Sequence, residues 1–373
     1  MAIVRLLLLV STGLMPLWAA EPDAKAALGG ALFFDKGLSR ERNLACATCH
    51  DPNHGFVDTR DGGVGAAASL GDDLRSLGDR NSPSLSYAAL IPAFQYDAEN
   101  ARYIGGLFWD GRARDLREQA GQPLLNPTEM AMPDRAAVVE RVRAIDDYRD
   151  RFEALYGTDL FSDHERAFAA ITDAIAEFEK TPFFSSFDSK YDRYLRGEYE
   201  LSDLEDLGMS IFFSTTNSNC SNCHLLKVMG DAGETFTNHE YHNIGTPINL
   251  ALRQRNGLGS EHRDLGLGSQ LADASGQEGK FRVPTLRNVA ITGPYMHNGV
   301  FRDLRTVIEF YDQYNHPMRV NNPETGQPWS PPEIESTVDL EELKAKRLND
   351  RKVDALIAFL KTLTDRRYEH LLD

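Results

Sequence analysis

Two stretches in the first half of the chain place apolar residues at the spacing of an amphipathic helix. The apolar positions are Val138, Val139, Val142 and Ile145 in residues 134–156, and Phe168, Ile171, Ile175 and Phe178 in residues 164–180. Asp134 stands just before the first set and is a good N-cap residue. We therefore predict helices over both stretches, each burying one face.

The second half repeats this pattern in shorter pieces, over residues 204–213, 306–314 and 350–364. Four segments between helices lack it: a small-residue loop at 62–77, an irregular aromatic stretch at 92–111, a linker at 182–194, and a Gly- and Pro-rich region at 264–303. Strand signals are few and short. The predicted fold class is mainly α.

All four cysteines lie in two copies of one five-residue frame, Cys46-Ala-Thr-Cys49-His50 and Cys220-Ser-Asn-Cys223-His224. The C-x-x-C-H frame attaches c-type haem: the thiols bond to the haem vinyl groups and the histidine ligates the iron. The alternatives are a zinc site built from the pairs, a thioredoxin-like site, or two disulfides. Two complete frames favour two covalent haem groups.

The first twenty residues have the form of a secretory signal peptide, with Arg5 before an apolar run that ends near Trp18. An uncleaved anchor is the alternative, but the run is shorter than the ~20 apolar residues that span a bilayer. We expect an exported, periplasmic protein. Export agrees with haem c, which is attached on the far side of the membrane.

The chain has 373 residues, which is long enough for two domains. We expect the signal peptide over residues 1–20, an N-terminal cytochrome c-like domain over residues 21–195, and a C-terminal one over residues 196–373, with one haem in each. The formal charge of -16 argues against nucleic acid and anionic membrane as partners. It permits a basic protein or a small neutral oxidant, although acidity also simply keeps proteins soluble.

The chemistry of each haem depends on the ligand opposite His50 or His224. After His50 the nearest histidine, His54, is held on the proximal side, and no methionine occurs from residue 16 to residue 129. The first haem is therefore expected to have an open distal site that can bind peroxide or oxygen.

Several longer motifs resemble the di-haem cytochrome c peroxidase family of bacteria. They include Phe-Trp-Asp-Gly-Arg at 108–112, the run from Gln119 to Met132, Val-Pro-Thr-Leu-Arg-Asn-Val-Ala at 283–290, and Thr-Gly-Pro-Tyr-Met-His-Asn-Gly at 292–299. The resemblance covers essentially the whole chain after the leader. It implies two cytochrome c-like domains, the first with a high-spin haem and the second with a low-spin haem.

Ordinary members of the family place a histidine in the loop after the first frame and a methionine fourteen residues after the histidine of the Pro-Tyr-x-His segment. This chain has no histidine in that loop, and Tyr311 stands fourteen residues after His297. The chain is most similar to the branch in which tyrosine ligates the second iron, so a His224/Tyr311 haem is implied. Taken alone, Tyr311 could equally be a core aromatic, with Met296 or Met318 as the ligand.

The resemblance also implies roles for residues that would otherwise draw no notice. Gln119 and Glu129 match the polar residues on the distal side of the first haem, and Pro123 matches its distal wall. Trp109 matches a tryptophan between the haems that passes electrons; without the resemblance it is a large core aromatic. Glu129 would accept a proton from bound peroxide.

A calcium site is implied in the same way. Asn81, Thr292 and Pro294 match the family's calcium ligands, the last two through their backbone carbonyls. Oxygen ligands together with water suit Ca²⁺. The ion would connect the two domains near Trp109.

By this resemblance the chain is an oxidoreductase that uses peroxide, or oxygen plus electrons, to reach a bis-Fe(IV) state. That state oxidises tryptophans in a separate protein, the precursor of methylamine dehydrogenase, and completes its tryptophan tryptophylquinone cofactor. Tyrosinate would favour this state, because a hard anionic oxygen stabilises higher iron oxidation states.

One departure bears on the partner. The segment from Ser214 to Asn219 has no aromatic residue, whereas this branch has a surface tryptophan there that passes electrons from the substrate. Apart from Trp109, the chain after its leader has only Trp329. Three other functions therefore remain: a cytochrome c peroxidase fed by a small cytochrome, an enzyme that modifies tryptophan in another protein, and a di-haem electron carrier.

Overall fold

The computed structural model describes residues 23–226, 230 and 233–372. The predicted signal peptide lies outside this part of the chain. Within it the helices are α1 (Ala24–Phe33), α2 (Cys46–Cys49), α3 (Leu116–Leu125), α4 (Arg135–Arg143), α5 (Asp146–Tyr156), α6 (His164–Glu179), α7 (Lys190–Leu195), α8 (Asp203–Phe212), α9 (Cys220–Cys223), α10 (Leu250–Arg255), α11 (Leu304–Asp312) and α12 (Asp350–Thr362). No described helix is long and apolar enough to cross a membrane.

The described strands are short and form two antiparallel pairs. They are β1 (Gln95–Asp97) with β2 (Arg102–Ile104), and β3 (Tyr241–His242) with β4 (Phe281–Arg282). Single 3₁₀ turns occur at Lys36–Leu38, Ala88–Leu90, Leu160–Ser162, Leu267–Gln270, Val289–Ile291 and Arg366–Leu371. The prediction of a mainly α chain is confirmed.

The predicted helix over residues 134–156 is two helices. Asp134 caps α4 as expected, accepting from the Ala137 backbone N–H at 2.8 Å. The chain then breaks at Ala144 and Ile145, and α5 begins at Asp146. The irregular stretch at 92–111 contains the β1–β2 hairpin, and the linker at 182–194 contains the start of α7. These short elements were missed because their sequences carry no clear period.

Two large hydrophobic clusters hold the described chain together, and a small third one packs residues 64–77 of the first half against Leu252 of the second. The first draws its buried residues from Leu28 to Phe184 around α6, and the second draws them from Tyr191 to Leu363 around α8 and α12. Each buried aliphatic or aromatic side chain contributes about 1.5–3 kcal/mol. The domain boundary near residue 195 stays a prediction, although the two clusters lie on either side of it.

Both clusters have one helix pair in close contact at a glycine. A β-carbon on Gly29 of α1 would lie 1.8 Å from the carbonyl oxygen of Ala174 in α6, and one on Gly208 of α8 would lie 1.9 Å from that of Ala355 in α12. Any side chain there would force the helices apart. The two glycines therefore set how closely the helices of each pair pack.

Candidate functional site

The two cysteine frames adopt nearly the same local structure. Each is one helical turn, α2 or α9, with its histidine directly after the last residue. The Nδ1 atom of His50 lies 3.1 Å from the carbonyl oxygen of Phe56, and that of His224 lies 3.1 Å from the carbonyl oxygen of Phe236. A protonated Nδ1 donates to this carbonyl, which leaves Nε2 with a free lone pair for a metal.

Burial at three of the four cysteines disfavours the thiolate, which is the form that binds zinc. All four cysteines are free, and burial raises the pKa of Cys46, of Cys49 (to about 12) and of Cys220. Zinc binds the thiolate, which such burial disfavours. Across the described ranges no group of three or more His, Cys, Asp or Glu side chains is arranged to hold a metal ion. The geometry favours haem attachment over the zinc and disulfide alternatives.

A cavity beside the first frame, here called the first pocket, collects the predicted distal residues. Its lining includes Cys46, Cys49, His50, Phe108, Trp109, Gln119, Pro123, Glu129, Met130 and Glu179. The turn after α3 folds back on that helix, with the Met130 N–H donating to the carbonyl of Pro123 at 3.1 Å. This turn brings Gln119, Pro123 and Glu129 to one cavity, together with Met130, which lies just beyond the methionine-free stretch.

Two carboxyl groups in the first pocket are held toward their neutral form. Burial raises the pKa of Glu129, although the Asn126 amide donates to its Oε1 at 2.7 Å. Burial alone raises the pKa of Glu179 to about 8, and its Oε2 has no hydrogen-bond partner. Sequence reasoning missed Glu179, which sits at the end of α6 and has no local motif.

A cavity beside the second frame, the second pocket, contains Tyr311. Its lining includes Trp109, Cys220, Cys223, His224, His242, Met296, His297 and Tyr311. Burial raises the pKa of Tyr311, and its hydroxyl makes no hydrogen bond within the described part of the chain. Met318 is 80% exposed and does not line the pocket, which leaves Met296 as the methionine alternative.

His242 is a second residue that sequence reasoning missed. Its Nδ1 lies 2.9 Å from a carboxylate oxygen of Asp339, with Glu240 on the other side of the ring at 3.7 Å. Burial lowers the pKa of His242, but its interactions with Asp339, Cys223 and Glu240 together outweigh burial and raise the pKa overall. His242 in the second pocket is therefore held toward its cationic form, whereas Glu129 and Glu179 in the first pocket are held toward their neutral form.

Trp109 stands between the two pockets and lines both. Its indole N–H donates to the carbonyl of Asn81 at 2.8 Å, and the Asn81 N–H donates to the carbonyl of His297 at 2.8 Å. Trp109 also lines a third space, the central cavity, together with the predicted calcium residues Asn81, Thr292 and Pro294. The structure thus brings all the predicted site residues to three adjoining cavities.

Two haem-attachment frames, each facing its own cavity in a largely helical chain, are the features of a di-haem c-type protein. The family model for di-haem cytochrome c peroxidase matches residues 23–200. The chain is 55% identical to methylamine utilization protein MauG of Paracoccus denitrificans, over 94% of this chain and 91% of that protein. The chain belongs to the di-haem cytochrome c peroxidase family and is a haem-dependent oxidoreductase.

More distant relatives agree in fold and class. A cytochrome c551 peroxidase of Nitrosomonas europaea is 28% identical over 94% of this chain and 84% of its own. The crystal structure of the di-haem peroxidase BthA from Burkholderia thailandensis is similar with a TM-score of 0.84 and 30% identity, covering 94% of this chain and 89% of that one. The family carries two haem groups, as expected from the frames.

The residues present fit two such groups. Each frame lies on the wall of its own cavity, with cysteines and histidine together among the lining residues. Each pocket has a histidine whose Nε2 is free for the iron and a pair of free cysteines for the vinyl groups.

Proposed function

We propose that this chain is a periplasmic di-haem enzyme that oxidises tryptophans of precursor methylamine dehydrogenase and so completes tryptophan tryptophylquinone. The observation that carries the proposal is Tyr311, which lines the second pocket where ordinary di-haem peroxidases have methionine. The 55% identity to a methylamine utilization protein over nearly all of both chains supports it.

The residues that would hold the haem groups are those of the two frames. Cys46 and Cys49 would bond one haem and His50 would ligate its iron. Cys220, Cys223 and His224 would do the same for the other, with Tyr311 as a further ligand of its iron. When bound, the haem groups supply the redox chemistry, accepting oxidising equivalents from peroxide, or from oxygen plus electrons.

The side chains of the first pocket handle the protons of that oxidant. Glu129, once ionised, takes a proton from peroxide and returns it to the departing oxygen, which leaves as water. Gln119 is placed to hold the oxidant by hydrogen bonds, and Pro123 closes one wall so that water does not compete. Trp109, which lines both pockets, carries electrons between them.

A calcium ion held by the side chain of Asn81 and the carbonyls of Thr292 and Pro294 would fix Trp109 in place. These residues offer oxygen donors to one cavity, and the Asn81 carbonyl already accepts from the Trp109 indole. Removing the metal with a chelator should slow electron exchange between the haems without changing haem content. Unaltered EPR spectra after verified metal loss would reject the site.

The decisive experiment mixes peroxide-treated enzyme with precursor methylamine dehydrogenase in a single turnover. We expect two haems per chain that resist acid-acetone extraction, one high-spin and one low-spin EPR signal, and decay of the oxidised species as the quinone forms. One haem per chain would end the proposal.

A different partner is the second candidate, because the segment at 214–219 lacks an aromatic residue. If the oxidised species decays only when another tryptophan-bearing protein is added, this second candidate is supported. Decay only with a reduced cytochrome would select a plain peroxidase.

A further inference from the structure

Arg282 is a buried cation without a protein counter-charge. The described residues include three buried arginines: Arg287 pairs with Asp192 at 2.7 Å, Arg253 pairs with Glu333 at 3.1 Å, and Arg282 pairs with no described carboxylate. Its Nε has no hydrogen-bond partner, and within the described residues the only hydrogen bond of its side chain is a long one of 3.4 Å from Nη1 to the carbonyl of Val283. An isolated buried charge costs several kcal/mol, so an anion is expected beside it.

The position of Arg282 is fixed by the backbone on both sides. Strand β4 pairs Arg282 with Tyr241 of β3, and the Arg282 N–H donates to the carbonyl of Trp109 at 2.8 Å. The side chain lines the first pocket, the second pocket and the central cavity. A single guanidinium is therefore within reach of both haem sites.

The central cavity offers no protein anion to pair with it. No aspartate or glutamate lines this cavity in the described part of the chain. His239, which also lines it, has two buried ring nitrogens without partners, and burial together with the charge of Arg282 lowers its pKa to about 3. His239 is therefore an uncharged neighbour that gives Arg282 no counter-charge, and its own ring N–H has no acceptor among the described residues.

We propose that Arg282 is the shared counter-charge for the haem propionates of both pockets. Each haem c keeps two propionate carboxylates, and a guanidinium binds carboxylates through several N–H donors at once. Arg282 would thereby hold the two haems in register with Trp109, whose backbone it already bonds. This proposal rests on haem binding in both pockets.

The test is a potentiometric titration of Arg282→Gln at mildly alkaline pH. Loss of a positive charge next to both haems removes an interaction that favours the reduced state, so both midpoint potentials should fall. Arg282→Lys keeps the positive charge, so both midpoint potentials in that variant should lie close to those of the wild type. Arg102→Gln is the control, since that side chain is 45% exposed and lines none of the three cavities.

A shift in one potential only, no shift, or an equal shift in the lysine variant would overturn the proposal. If Arg282→Gln does not accumulate, resonance Raman spectra of Arg282→Lys should show altered propionate bending bands on both haems, and unaltered bands would overturn it. Haem content is measured first in every variant. Fewer than two haems in the wild type would count against the proposed function, whereas two haems with unmoved potentials would count against Arg282 alone.

Discussion

The two pockets start from the same frame and differ in the charges that the rest of the chain brings to them. In the first pocket burial holds Glu129 and Glu179 toward their neutral form. In the second, Asp339 holds His242 toward its cationic form. The frame sets attachment and the proximal histidine; elements far away in sequence set what each centre can do.

This difference suits two tasks. A carboxylic acid with a raised pKa can exchange a proton near neutral pH, which the chemistry of peroxide requires. A cation in the same pocket as Tyr311 favours the anionic tyrosinate, and so does an iron ion, which reverses the effect of burial on that hydroxyl. If the proposed function holds, we expect the first pocket to handle protons and the second to stabilise positive charge on a metal.

Replacing Tyr311 with histidine should have the largest effect, because it removes the feature that separates the second pocket from that of a plain peroxidase. We expect Tyr311→His to keep two haems, since attachment depends on the cysteines, and to lose oxidation of the partner. A neutral imidazole stabilises highly oxidised iron less than tyrosinate does. Haem content, the near-infrared spectrum of the two-electron-oxidised species and single-turnover decay measure this.

The matched control is Tyr314→Phe. The Tyr314 hydroxyl donates to the carbonyl of Ile244 at 3.1 Å, and Tyr314 itself does not line the second pocket. That variant should keep the oxidised species. If the oxidised species also persisted in Tyr311→His, Tyr311 would not be the iron ligand and Met296 would take that role.

In the first pocket, Glu129→Gln should slow the reaction with peroxide by about 10²–10⁴-fold, the usual range for a lost general base. Because burial raises the pKa of Glu129, the rate in the wild type should rise with pH above the range of an exposed glutamate. The glutamine variant should lose that rise. Stopped-flow mixing with peroxide across pH gives both quantities.

Glu179 lies in the same pocket and can also change its charge with pH. The dependence of the rate on pH is therefore measured again in Glu179→Gln, where any remaining rise is assigned to Glu129. Glu118→Gln, an exposed neighbour on α3, is the control and should behave as wild type. A rate that still rises in Glu129→Gln would mean that another group accepts the proton.

The sequence predicts features that are local and misses those that depend on tertiary contacts. Both frames, the cap at Asp134 and the major amphipathic helices follow from spacing alone. Glu179, His242 and Arg282 are single residues whose character comes from burial and from partners far along the chain. The pKa of His242 depends on Asp339, and Arg282 is held by Trp109. Such pairings carry no short-range signal.

We expect the aromatic residues beside the second pocket to provide a route for electrons from a protein partner. The partly exposed Trp329 packs against Phe310 at 5.7 Å between ring centroids, and Phe310 packs against Tyr311 at 6.1 Å. We expect Trp329 to pass one electron to the oxidised haem site in the second pocket and to regain one from a tryptophan of the partner protein. Trp329→Phe should therefore slow single-turnover decay severalfold, because the electron must tunnel further without an oxidisable stepping stone.

Trp329→Tyr should restore part of the rate. Tyr96→Phe removes an exposed tyrosine on β1 and should change nothing. Formation of the oxidised species by peroxide should be normal in all three variants, because that step belongs to the first pocket. Wild-type decay in Trp329→Phe would exclude this route.

The last effect concerns stability rather than activity and tests whether the first pocket contains a neutral acid. The pKa of Glu179 rises from 4.5 to about 8 on folding, so the folded state keeps a proton that the unfolded chain releases. Its presence lowers the free energy of unfolding as pH increases from 4.5 to about 8, by at most about 5 kcal/mol at ~1.36 kcal/mol per pKa unit. Glu179→Gln should lack this decline, and its advantage over wild type should grow with pH and then level off.

Denaturant unfolding of the haem-loaded protein at several pH values measures the difference between the two curves. Glu177→Gln on the same helix, where the carboxylate pairs with Lys180 at 2.7 Å, is the control and should run parallel to wild type. Parallel curves for Glu179→Gln would mean that Glu179 is ionised and paired once haem is bound. Glu129 would then be the only neutral acid that distinguishes the first pocket from the second. The rise with pH of the rate of reaction with peroxide would have to be assigned to Glu129.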